Sequence, residues 1–155
     1  MKKIALVLVV ALSLVMFVGC QTTRTPVTAD KFATKAEEFG YTVQDAMNQF
    51  EEGAVKNYLL ALKGIDNIDY QIEFAEVHTI EQAIAAYQEN YSDFEAVKGS
   101  MSSSSTMNMK NYSYYKLTTN GRYHVISRIE NTFVYINASV EYKDEIIEFL
   151  KIIGY

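Results

Sequence analysis

Apolar and polar residues follow three patterns along this chain, and each predicts a different kind of element. The first is a solid block: Ile4 to Val18 is apolar, with Ser13 its only polar member. The second is a helical period. Phe32, Ala36 and Phe39 recur at i, i+4 and i+7 and predict a helix from about Ala29 to Phe39. Thr28 serves as its N-cap, Asp30 sits in its first turn, and Gly40 supplies the left-handed position past its end. Val43, Met47 and Phe50 keep helical spacing for another turn or two. Thr79-Ile80-Glu81-Gln82 forms a capping box, and Ile80, Ala83, Ile84, Tyr87, Tyr91 and Phe94 then trace one helix face until Gly99. Lys143 to Ile153 predicts a last helix, with Ile146, Leu150 and Ile153 on one side and Gly154 after its end.

The third pattern is two-residue alternation. Val55–Leu62 and Tyr70–Val77 read as strands around the turn formers of Lys63–Asn67, although the leucines and alanine of the first also fit a helix. Tyr112–Thr118, Arg122–Ile129 and Thr132–Val140 read as a meander. Its first turn is Asn120-Gly121, the strongest short hairpin signal because both positions need positive φ, and its second is Glu130-Asn131. Two-residue turns fix the register. Thr119 then faces Arg122, Leu117 faces His124, Tyr115 faces Ile126, Ile129 faces Thr132, Val125 faces Ile136 and Tyr123 faces Ala138.

One face of that meander is apolar (Tyr112, Tyr114, Tyr123, Val125, Ile129, Val134, Ile136, Ala138, Val140) and belongs against helices. The other carries Tyr115, Leu117, His124, Ile126, Arg128, Phe133, Tyr135 and Asn137. Aromatics mixed with a His, an Arg and an Asn have the composition of a contact surface, so these eight are the candidate binding face. Two plainer readings compete: a covering helix, or cross-strand aromatics that only stabilise the sheet. Ser100–Asn108 is polar and of low complexity and predicts a mobile loop. The pattern as a whole predicts an α+β fold, with a mainly antiparallel sheet of about five strands (a hairpin plus a three-stranded meander) and helices packed on one face.

The apolar block changes the picture of where the protein resides. Lys2 and Lys3 precede it, and it is shorter than the roughly 20 residues a spanning helix needs, which fits the core of a secretory signal. It ends in Phe17-Val18-Gly19-Cys20, which resembles the lipobox of bacterial lipoproteins, with Phe17 in place of the usual Leu. The resemblance covers this targeting segment alone. It implies cleavage after Gly19, lipid on Cys20, and a protein held on the extracytoplasmic side of the cell membrane. The expected organisation is a signal peptide over 1–19, a lipidated polar tether over 20–28 and a single α+β domain over 29–155.

Removal of residues 1–19 leaves 136 of the 155, enough for one domain with its own core. Cys20 is the sole cysteine, so no internal disulfide is possible. The net charge of −5 becomes −7 once Lys2 and Lys3 leave, which repels anionic lipid and disfavours nucleic acid as a partner; no basic stripe is legible. Phosphate-loop, zinc-protease and nucleophile-elbow motifs are absent from the sequence. Glu73, Glu76 and His78 lie close together, but with His124 the only other histidine they read as a solvated strand end rather than a metal site. No catalytic residue, metal or cofactor is assigned. The expectation is a lipid-anchored envelope protein that binds a protein, peptide or glycan without catalysing a reaction. The alternatives are a small-molecule-binding accessory or sensor protein and, less favoured, a hydrolase built on two coupled acids.

Overall fold

The computed structural model describes residues 23–64 and 67–155. Cys20 and the signal segment lie outside the described residues. Helix α1 (Ala29–Phe39) starts at Thr28, whose Oγ1 accepts from the Lys31 amide at 3.3 Å, and stops at Gly40 with φ 96°. The helical spacing beyond it does not become helix. Thr42–Asp45 forms strand β1, and Met47–Gln49 a single 3₁₀ turn. β-branched Thr42 and Val43 favour the extended backbone, and the Asp45 carboxylate accepts from the Met47 amide at 2.8 Å to start the turn.

Strands β2 (Asn57–Lys63) and β3 (Tyr70–Glu76) form the expected hairpin. Helix α2 (Ile80–Ala96) carries the complete capping box, with Gln82 N donating to Thr79 Oγ1 at 3.2 Å and Thr79 N donating to Gln82 Oε1 at 3.1 Å. Four strands follow: β4 (Ser102–Asn108), β5 (Tyr112–Thr119), β6 (Arg122–Ile129) and β7 (Thr132–Ser139). A 3₁₀ turn at Val140–Tyr142 leads into α3 (Lys143–Ile153), which Gly154 terminates at φ 87°. The meander pairs in the register its turns dictate, including Leu117 with His124 and Val125 with Ile136. Asn120 and Gly121 both take positive φ, as does Glu130.

All seven strands of the described residues join one antiparallel sheet in the order β1-β2-β3-β7-β6-β5-β4. The fold is α+β, but with seven strands rather than about five. The two additions are its edges, β1 and β4. Strand β4 is the serine-rich segment expected to be a loop. Its small polar side chains carry no apolar alternation, so what makes it a strand is the main-chain edge of β5 (Ser104 opposite Leu117, Thr106 opposite Tyr115).

Helices cover both faces of the sheet, not one. On the first, α1 and α3 bury Ile72, Phe74, Val125 and Ile136, with Phe32 stacked on Phe74 at 4.7 Å and edge-on to Phe149 at 5.9 Å. On the second, α2 lays Tyr87 and Phe94 over Tyr115, Leu117 and Ile126. Burying each such side chain contributes about 1.5–3 kcal/mol, so a second covering helix is what an aromatic outer face demands. The chain leaves β3 near the middle of the sheet and resumes at the far edge, β4. The connection made by α2 therefore crosses the sheet. Residues 24–27 also dock on the domain rather than hang free. Arg24 N donates to Asn111 Oδ1 at 3.3 Å, Asn111 Nδ2 donates to Arg24 O at 2.7 Å, and Val27 is buried. Among the described residues no helix is long and apolar enough to cross a membrane.

Candidate functional site

Five of the eight residues on the candidate binding face are covered by α2: Tyr115, Leu117, His124, Ile126 and Arg128 are all buried. For these the plainer reading, a covering helix, is the correct one. The Tyr115 hydroxyl donates to Glu95 on α2, and burial followed by that carboxylate pushes its pKa up to about 12. The His124 ring packs 4.8 Å from Phe94, and its buried Nδ1 has no hydrogen-bond partner among the described residues. The Arg128 guanidinium donates to the Glu130 carbonyl at 3.1 Å and Ser113 Oγ at 3.4 Å. The other three, Phe133, Tyr135 and Asn137, lie on β7 at the margin of α2 and stay accessible.

These three open onto a groove that α2 leaves uncovered over β3 and β7. Antiparallel pairing sets Glu73 directly opposite Tyr135, and Ala75 opposite both Tyr58 and Phe133. Strand alternation therefore puts Tyr58, Gln71, Glu73, Phe133, Tyr135 and Asn137 on one face. Two adjoining hollows share Glu73 and Tyr135. One, of about 200 Å³, is walled by Phe50 and by Asn90 of α2. The other, of about 360 Å³, runs past Gln71 and Asn137 to Ile68 at the hairpin end.

The groove is built around one carboxylate. Glu73 accepts from the Tyr58 hydroxyl and, at 2.9 Å, from Gln71 Nε2. Burial first, then the bond to this carboxylate, raises the Tyr58 pKa far above its ordinary value. Burial, followed by Glu73, raises that of Tyr135. Both phenols thus remain neutral donors over a wide pH range. Asn137 is fixed by Arg122, whose Nε donates to its Oδ1 at 2.8 Å and whose other guanidinium nitrogen donates to its carbonyl at 2.7 Å. Phe50 packs edge-on to Tyr58 at 4.7 Å, and Phe94 lies 5.3 Å from Tyr135. The result is a set of aromatic faces with amide and carboxylate groups at their rims, suited to stacking and hydrogen bonding together.

Glu73 and Glu76 fall on opposite faces of β3. Glu76 accepts from Asn57 Nδ2 at 3.0 Å, and His78 Nε2 lies 2.9 Å from the Gly53 carbonyl. No group of three His, Cys, Asp or Glu converges among the described residues. Sequence reading missed Tyr58, Gln71, Phe50 and Asn90 because the β3–β7 pairing joins segments about 60 residues apart, and no turn connects them to fix their register.

No protein-family model and no curated protein matches this sequence. Among solved structures, the chain is similar to the extracellular domain of PknH from Mycobacterium tuberculosis. The two are 12% identical with a TM-score of 0.36, over 78% of this chain and 69% of that one.

Proposed function

We propose that this protein is a lipid-anchored extracytoplasmic binding module that presents the Tyr58–Glu73–Tyr135 groove to a peptide or glycan segment of an envelope partner. The anchor rests on the lipobox at Cys20. The binding role rests on one observation: aromatic side chains, amides and a single carboxylate meet on a part of this sheet face that α2 leaves open. Stacking on Tyr135 and the exposed Phe50 supplies the area of contact, Glu73, Asn90 and Asn137 set orientation, and the buried Tyr58 holds the Glu73 carboxylate in place. The hollows favour a second reading, a small-molecule sensor, if the occupant proves compact enough to fill them.

The test has two parts. Cys20→Ser is expected to move the protein from the membrane fraction to the medium or the soluble fraction. For the groove, a panel of envelope oligosaccharides and short peptides is titrated against the native protein and a Glu73→Gln/Tyr135→Ala variant shown to melt cooperatively. Binding weakened by about tenfold or more in the variant is the expected result. Equal binding by both proteins would remove the groove from the site.

A further inference from the structure

On the opposite face, α3 runs alongside β5, and the fold gathers four cations there in a protein of net charge −5. Lys143 and Lys151 lie on one side of α3 with Ile147 between them at i+4 spacing, Lys116 rises from β5, and Arg24 comes from the docked N-terminal segment. None of the four forms an ion pair with an acid among the described residues. Instead, three of them sit over tyrosine rings: Arg24 over Tyr112 at 4.3 Å, Lys116 over Tyr114 at 4.8 Å and Lys143 over Tyr123 at 5.3 Å. Such contacts hold a cation in place but leave its charge uncompensated. Burial, then Arg24 and Lys151, lowers the pKa of Lys116, so the cluster repels itself as it stands.

Between α3 and the β4–β5 edge lies an open channel of about 190 Å³, into which Lys116, Lys143, Ser103, Ser105 and Thr118 converge. Lys143 Nζ already donates to Thr118 Oγ1 at 3.3 Å. We propose that this channel binds an oxyanion of the phosphate type, held between Lys116 and Lys143 and completed by the hydroxyls of Ser103, Ser105 and Thr118. A charge-assisted shell of this kind needs ammonium and hydroxyl donors without a competing carboxylate, which is the composition found here. The serine run that lacks any apolar pattern acquires a use on this reading, since its alternate hydroxyls face the channel. No basic run marks the site in the sequence because its cations stand at positions 24, 116, 143 and 151. The inference is independent of the groove on the other face.

Inorganic phosphate is titrated into the full chain, held in uncharged detergent micelles, while the backbone amides are followed by NMR. The expected result is a saturating shift at Ser103, Ser105 and Lys116, with affinity at least about tenfold weaker in Lys116→Met/Lys143→Met. Lys143→Arg, which keeps charge and donors, is expected to retain binding and so separates a lost ligand contact from a lost fold. Shifts that do not saturate, that match in the double variant, or that centre elsewhere would overturn the proposal. A parallel titration with glycerophosphoglycerol distinguishes the source. Tighter binding of this diester assigns the oxyanion to a lipid headgroup, and tighter binding of inorganic phosphate to a free phosphorylated compound.

Discussion

His124 has 6% of its surface exposed and a buried Nδ1 without a partner among the described residues, so its neutral ring is what the fold tolerates. Burial, and secondarily Arg122, depresses its pKa in the folded state. The unfolded chain therefore takes up a proton at about pH 6.5, where the folded chain does not. Stability contributed by this residue is complete above that value and is lost progressively as pH falls from it towards the depressed native pKa. Between about pH 7 and about pH 5 the native protein should lose more thermal stability than His124→Gln; parallel melting curves would refute this. Glu130 has a different local cost. It turns the β6–β7 corner with φ 51°, a left-handed conformation that costs an ordinary side chain roughly 1 kcal/mol. Its hydrogen bonds are main-chain ones, its amide donating to the Asn111 carbonyl at 2.8 Å and its carbonyl accepting from Arg128, and any non-proline residue could supply both. Glu130→Asn should raise stability by about 0.5–1 kcal/mol, read as a higher urea midpoint at unchanged slope.

At the scale of elements, what could be read from the sequence was whatever neighbouring residues determine. Thr28, Gly40, Thr79, Gln82 and Gly154 mark their helix ends by bonds and dihedrals that reach no more than four residues, and the ends fall where expected. Thr79→Ala removes the acceptor for Gln82 N and should cost about 1 kcal/mol in thermal or chemical denaturation. Strand β4 is the contrary case, because a strand of serines is specified by its neighbour rather than by itself. Met109 N donates to the Tyr112 carbonyl at 2.8 Å, which fixes the phase of the ladder. By alternation, the amides of Ser103, Ser105 and Met107 face β5, while those of Ser102, Ser104 and Thr106 face outward. Hydrogen exchange should therefore show protection at every second residue from 103 to 107. Uniformly fast exchange would return this segment to a loop.

For the whole molecule, the core depends on contacts between helices and a sheet that no local signal ties together. Phe32 from α1, Phe74 from β3 and Phe149 from α3 meet in one aromatic cluster. Phe149→Ala should cost about 3–5 kcal/mol in equilibrium unfolding, through lost burial and the cavity left behind. Part of the candidate site was legible for the same reason that the rest was not. Phe133, Tyr135 and Asn137 came from a register that two turns fix, whereas Tyr58 and Glu73 join them only through the β3–β7 pairing. That five of the eight picked residues lie under α2 could not be read locally either, since the helix's path depends on where β4 pairs.

The docking of Arg24 against Asn111 has a consequence for how the domain would stand on a bilayer. Four residue steps separate Cys20 from Arg24, a leash of at most about 14 Å when fully drawn out. A lipid at Cys20 would thus moor the body close to the headgroups, with the Asn111 end of the strands facing down. The Asn120-Gly121 corner and the Gly64 end of the β2–β3 hairpin would then form the summit. Seen from the aqueous side, the mouth of the groove at Ile68 and Asn137 would lie near that summit, open to partners reaching over from outside and turned away from the lipid below.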